Sequence, residues 1–163
     1  MMHGLRIFTL VLMSFAVAAC GFQLRGSYNL PAHLSPLYLD KDSMSLLLYK
    51  ELRSSLKASG VELTDDAETA ASQLVVDFEQ QTRDVISVDT LGRAREYRLI
   101  YRLTFSLQAS DEAVIDGSQI QLTRNLLFNP EAVLGVAEET KNIYRDMIRD
   151  STGQILLRLQ ALQ

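Results

Sequence analysis

The sequence is poor in the residues that usually announce chemistry or covalent stapling. It holds one cysteine, Cys20, and two histidines, His3 and His33, in 163 residues. One cysteine excludes an intramolecular disulfide, so the fold must rest on a buried core, which a chain of this length can supply. No His/Cys/carboxylate cluster has metal-ligand spacing, and there is neither a glycine-rich phosphate loop nor a Gly-x-Ser-x-Gly nucleophile turn. No metal or other cofactor is expected. Positive charge is also short: 16 Lys and Arg face 20 Asp and Glu, a net −4. That balance disfavours a general nucleic-acid-binding role, which needs a basic surface to neutralise phosphates. Only three prolines and eight glycines interrupt the chain, and 47% hydrophobic with 22% charged residues is ordinary globular composition. No internal repeat or low-complexity segment is visible, so one domain is expected.

What is present begins with a processing signal. Met1 to Arg6 carry one positive charge, and Ile7 to Val17 are apolar except for Thr9 and Ser14. That run is too short for an ordinary membrane span. Val17-Ala18-Ala19-Cys20 has the order aliphatic, small, small, Cys, and it resembles the bacterial lipoprotein signal closely. The resemblance implies removal of residues 1–19, a thioether-linked diacylglycerol on Cys20 and an acyl chain on its new N-terminus. It also explains an otherwise odd cysteine in an exported chain. Gly21, where an Asp would signal inner-membrane retention in enteric-type sorting, points by the same resemblance to the outer membrane. Cleavage would leave fifteen basic against twenty acidic side chains, a net −5.

Residues 20–35 read as anchor and approach, with Pro31 opposing helix. Residues 36–163 read as a single α+β domain. Leu37-Tyr38-Leu39 is a short strand. Asp42 and Ser43 are candidate caps for a helix whose Leu48, Leu52 and Leu56 share a face and which Gly60 stops. Three long strands follow. In the first, Leu74, Val76 and Phe78 alternate with Val75, Asp77 and Glu79. In the second, Tyr97, Leu99, Tyr101, Leu103, Phe105 and Leu107 take one face, and Arg98, Ile100, Arg102, Thr104, Ser106 and Gln108 the other. In the third, Ile120 and Leu122 alternate with Gln119, Gln121 and Thr123. Leu91-Gly92 and Ser110-Asp111-Glu112 supply the turns, and Asp116-Gly117 is a bulge or a second turn. Asn129-Pro130-Glu131 starts a last helix with Tyr144, Met147, Ser151, Ile155, Leu159 and Leu162 near one stripe. The order β-α-β-β-β-α predicts a two-layer sandwich: two helices on one face of a four-stranded, mostly antiparallel sheet, the other face polar.

No catalytic constellation stands out, and the chain is not read as an enzyme. His33 sits alone between Pro31 and Pro36 as a loop side chain. The acidic pairs Asp65-Asp66, Asp111-Glu112 and Glu138-Glu139 read as solvated surface. The informative cluster is basic: Arg93, Arg95, Arg98 and Arg102. Such a concentration in an acidic chain either binds phosphate groups through arginine forks or keeps a solvated strand from aggregating.

Beyond the signal, Cys20-Gly21-Phe22-Gln23-Leu24-Arg25-Gly26, Val61-Glu62-Leu63, Gly92 with Glu96-Tyr97, Arg124, Phe128-Asn129-Pro130 and Asp146-Met147-Ile148 run in order along the chain. With the element order, they resemble the LptE family of lipopolysaccharide-assembly lipoproteins. The resemblance implies an outer-membrane lipoprotein, facing the periplasm and plugging the lumen of an LptD-type β-barrel in a 1:1 complex. It would assist barrel assembly and contact lipopolysaccharide on its way to the outer leaflet. Thr90 and Val136 stand where the family pattern places basic residues, so Arg93, Arg95, Arg98 and Arg102 are the lipopolysaccharide-binding candidates. Two other readings differ in class: a periplasmic lipid-binding lipoprotein of another inter-membrane transport system, and an envelope hydrolase.

Overall fold

The longest alternating run of the sequence becomes the middle of the sheet. β4 (Ala94–Ala109) lies antiparallel between β3 (Ser72–Val88) and β5 (Glu112–Leu127). The computed structural model describes residues 28–109, 112–128 and 133–162. The signal segment, Cys20, the Ser110-Asp111 turn and the Asn129-Pro130-Glu131 helix start lie outside the described residues. On the far side of β3, β1 (Leu37–Leu39) pairs in parallel, and β2 (Leu63–Thr64) pairs in parallel with β1. The order across the sheet is β2-β1-β3-β4-β5. The described sheet therefore has five strands where the sequence predicts four. β2 is two residues long, too short to show any periodicity of its own.

Two helices cover one face. α1 (Leu46–Ala58) buries Leu48, Leu52 and Leu56, the expected stripe. Its cap is Ser45, whose hydroxyl accepts from Leu48 N at 3.3 Å, and not Asp42 or Ser43. Those two lie in a short 3-10 turn, Lys41–Ser43, held by the Asp40 carboxylate. Ser43 is used differently: its hydroxyl accepts from Val76 N at 3.1 Å and so ties the turn to β3. α2 (Val133–Gln160) runs back along β5 and buries Met147, Ile148, Ser151, Ile155, Leu156 and Leu159. Val136 is packed in the same core at 7% exposure. Leu34, before β1, is fully buried there too, and its carbonyl accepts from Ser72 Oγ at 2.6 Å.

β4 obeys its pattern: Leu99, Tyr101, Leu103, Phe105 and Leu107 are buried under the helices. β3 departs from its own. Val76 pairs with Phe105, but Phe78 pairs with Thr104, so Asp77 is an extra residue and the strand changes phase. Phe78 therefore turns to the uncovered face, 45% exposed, and Glu79 turns under the helices. On the other side of β4, Asp116-Gly117 forms a bulge opposite Ser106, with Gly117 at φ +57, a conformation that favours glycine. Ser106 joins the two bulges: its hydroxyl donates to Asp77 Oδ2 at 2.7 Å and accepts from Gly117 N at 3.1 Å. The phase change gives a contrast to measure. Phe105→Ala should cost about 3–5 kcal/mol in denaturant unfolding. Phe78→Ala should stay within about 1 kcal/mol, as for a surface position; equal costs would contradict the outward turn.

Candidate ligand and partner surface

The uncovered face of the long hairpin is a polar platform whose rows follow from register. Phe78, Thr104 and Gln119 form one row; Gln80, Arg102 and Gln121 the next; then Thr82, Ile100 and Thr123; then Asp84, Arg98 and Asn125. Ile100 is the exception among exposed neighbours. It is 7% exposed although none of the described helices lies over it, set between two threonines across the strands and two arginines along its own. Amides, hydroxyls and guanidinium groups dominate this surface, with Phe78 and, in the row of Glu96, Leu127 as large exposed apolar side chains.

The four arginines picked out by sequence do not converge. Arg98 and Arg102 share the open face, four residues apart on one strand, or about 13 Å. Arg102 Nε donates to Gln121 Oε1 at 3.0 Å. Arg98 is exposed, with no hydrogen bond or ion pair among the described residues. Arg95 is the extra residue where Ser87 pairs with Glu96 and Val88 with Ala94, so a bulge sets its direction. Its carbonyl accepts from Phe128 N at 2.8 Å. Arg93 belongs to the turn. Asp89 accepts there from Leu91 N and Arg93 N, both at 2.9 Å, and from Arg93 Nε at 2.8 Å. The backbone N–H of Arg93, then its side chain, hold the Asp89 carboxyl below the usual carboxylate range. Gly92, at φ +75, closes the turn.

Beside this tip lie aromatic and apolar groups that the structure brings together. Arg83 stacks over the Tyr97 ring with 4.5 Å from its guanidinium carbon to the ring centre, and Phe128 meets Tyr97 edge-on at 5.4 Å. Val85, Val88, Leu91 and Leu127 are exposed at the same end of the hairpin. The tip thus puts apolar side chains next to Arg93 and Arg95, a pairing suited to an amphiphile. The bulge at Asp77 contributes to this arrangement, because simple alternation from Val76 would send Val85 to the opposite face.

The structure also shows where ionisable groups are spent on structure. Glu79 accepts from Ser45 N at 2.7 Å, from Ser45 Oγ at 2.8 Å and from the Tyr101 hydroxyl at 2.9 Å. Burial, and then the Glu79 charge, push the Tyr101 phenol far above its ordinary value. This carboxylate fastens the start of α1 to the sheet. An open groove of about 570 Å³ adjoins it, lined by Ser43, Met44, Phe78 and Gln80 among others. Among the described residues no three His, Cys, Asp or Glu side chains are grouped to hold a metal ion. The arrangement is equipped to bind through guanidinium, amide and apolar groups.

Comparison with known proteins gives a consistent picture. A family model, LptE, described as lipopolysaccharide-assembly, matches residues 34–159. The LPS-assembly lipoprotein LptE of Pectobacterium atrosepticum is 33% identical over 156 residues, covering 94% of this chain and 84% of that protein. Its namesake in Yersinia enterocolitica is 28% identical, covering 97% and 76%. Among solved structures, lipoprotein B from Nitrosomonas europaea superposes with a TM-score of 0.71 at 26% identity, covering 86% of this chain and 91% of that one. The rare lipoprotein B of Shewanella oneidensis shares the fold, with a TM-score of 0.66 at 24% identity, covering 77% and 93%.

The turn yields a pH prediction. A carboxyl whose folded pKa is depressed contributes stability above its unfolded pKa, and loses it as pH falls through the folded value. The amide resonances of Leu91 and Arg93 should therefore titrate with a midpoint below the roughly 3.9 of a free aspartate. A midpoint at or above that value would remove Asp89 as the organiser of the tip.

Proposed function

This chain belongs to the LptE family of lipopolysaccharide-assembly proteins, and on that premise we propose that it is an outer-membrane lipoprotein partnering an LptD-type β-barrel. In this reading residues 1–19 are removed, Cys20 carries the lipid anchor, and residues 36–163 form the working domain in the periplasm and the barrel lumen. The protein then assists lipopolysaccharide assembly into the outer leaflet by binding and positioning, without catalysing a reaction. Several acyl chains on one cysteine give a stable anchor, since each buried CH₂ contributes about 0.8 kcal/mol.

The observation that carries this reading is the two-sidedness of the sheet within a family match spanning nearly all the described fold. Helices cover one face, while the other shows guanidinium, amide and hydroxyl groups to its surroundings. Lumens of large outer-membrane barrels are polar and often plugged, so such a face suits a barrel wall better than a lipid tail. Arg95, Arg98 and Arg102 are the phosphate-binding candidates on the hairpin, and Arg93 adds the guanidinium N–H groups that Asp89 leaves outward.

Three measurements test it. Pull-down from solubilised outer membranes should recover a large barrel protein in roughly equal amount, with crosslinkers at Arg98 or Arg102 capturing it; recovery of the chain alone would overturn the partner. Mass spectrometry should find Cys20 acylated at a new N-terminus; a free thiol would remove the anchor. Arg95→Asp with Arg98→Asp and Arg102→Asp should weaken lipopolysaccharide binding on the order of tenfold, since each exposed charge contact is worth up to about 1 kcal/mol. The loss should shrink at high salt, where such contacts are screened. Arg93 is best tested as Arg93→Gln, because an Asp there would face Asp89 and open the turn.

A further inference from the structure

Among the described residues β5 is the last strand of the sheet and pairs on one side only. Sixteen residues of edge are an invitation to strand addition by another chain. The register between Glu96↔Leu127 and Phe105↔Ser118 is unbroken, and Phe128 N donates across to Arg95 O. By the alternation of an antiparallel ladder, even-numbered residues here turn their backbone groups to β4, and odd-numbered ones turn theirs to the free flank. Gln119 and Thr123 are thus two of the outward-facing positions, and an arginine takes each of their carbonyls. Arg158 Nη2, from α2, donates to Gln119 O at 2.8 Å, while its Nη1 is held by Ser118 Oγ. Arg124 Nη1 donates to Thr123 O at 3.0 Å, while its Nη2 is fixed by Asp150 of α2 at 2.9 Å.

We propose that Arg124 and Arg158 are guards that close the β5 edge against pairing with a second copy of this chain. The edge is suited to self-pairing. Two copies set antiparallel about Gln121 would place Gln119 against Thr123 and Ile120 against Leu122, polar beside polar and apolar beside apolar. The two sheets would then continue with their helix layers on the same side, so nothing in the side-chain pattern opposes association. The obstacle is the pair of guanidinium groups seated on the acceptors that a neighbouring strand would need. Each is anchored by a second bond to a Ser or Asp, which holds it at the edge. This device does not depend on any ligand or barrel, and it is distinct from the open face.

The test is the mass of the full chain in detergent, by light scattering at increasing concentration. The wild type should remain a monomer. Arg124→Ala with Arg158→Ala should form a dimer, and each single substitution should associate more weakly. Adding Gln121→Pro to the double variant removes an outward N–H without touching the ladder to β4, and should restore the monomer. Arg149→Ala, which removes an exposed arginine bound to Glu51 and Asp146 instead, should stay monomeric. A double variant that keeps the wild-type melting temperature yet remains a monomer would overturn the proposal. So would a dimer that survives the proline, or association of the Arg149 control.

Discussion

The Ser106 hydroxyl, bonded to Asp77 on one side and to the Gly117 amide on the other, holds the level at which both outer strands of the hairpin sheet take on an extra residue. Much else depends on that level. Below it Leu74 and Val76 point under the helices; above it Glu79 does, and Phe78 faces out. Because Glu79 is turned inward, it can accept from the backbone N–H of Ser45, the cap of α1, and from the hydroxyl of the buried Tyr101. A strand without the bulge would bring Phe78 toward the helix start and leave Glu79 in solvent. The helix layer and the open face are thus set by one shift of phase.

The cationic side chains divide by use. Arg93 organises the tip, Arg83 lies over Tyr97, and Arg124 and Arg158 are bound to backbone carbonyls of the edge strand. Arg98 and Arg95 make no such bonds among the described residues, and Arg102 makes one, to an amide. In a chain of net negative charge, this leaves Arg98, with Asp84 beside it, and Arg102 on the uncovered face, and Arg95 exposed nearer the hairpin tip. A surface of this kind suits a partner that presents phosphate or a wet protein wall, and the apolar residues at the tip extend it toward an amphiphile.

The legible parts of the sequence were those governed by local periodicity. Leu48, Leu52 and Leu56 lie on one side of a helix because of their spacing alone, and they are buried. Tyr101, Leu103 and Phe105 needed only alternation to be placed in the core. Asp116-Gly117 was marked as a bulge or turn because glycine tolerates a positive φ. β2 was missed because two residues carry no period, and its strand character comes from pairing with Leu37 and Tyr38. The cap of α1 was misplaced onto Asp42 and Ser43 because three neighbouring side chains can all cap; the turn that positions Ser45 is fixed by bonds to β3.

By itself the sequence determined the order of the two helices and of every strand but β2, the two-layer class, the processing signal expected around Cys20 and the family, all of which rest on residues close together in the chain or on motifs in a fixed order. Tertiary structure alone decided which face each half of β3 presents and which carbonyls of β5 are covered. Those outcomes depend on hydrogen bonds between residues as far apart as Asp77 and Ser106 or Gln119 and Arg158. A one-residue slip in pairing reverses every side chain beyond it, and no local pattern records where that slip occurs.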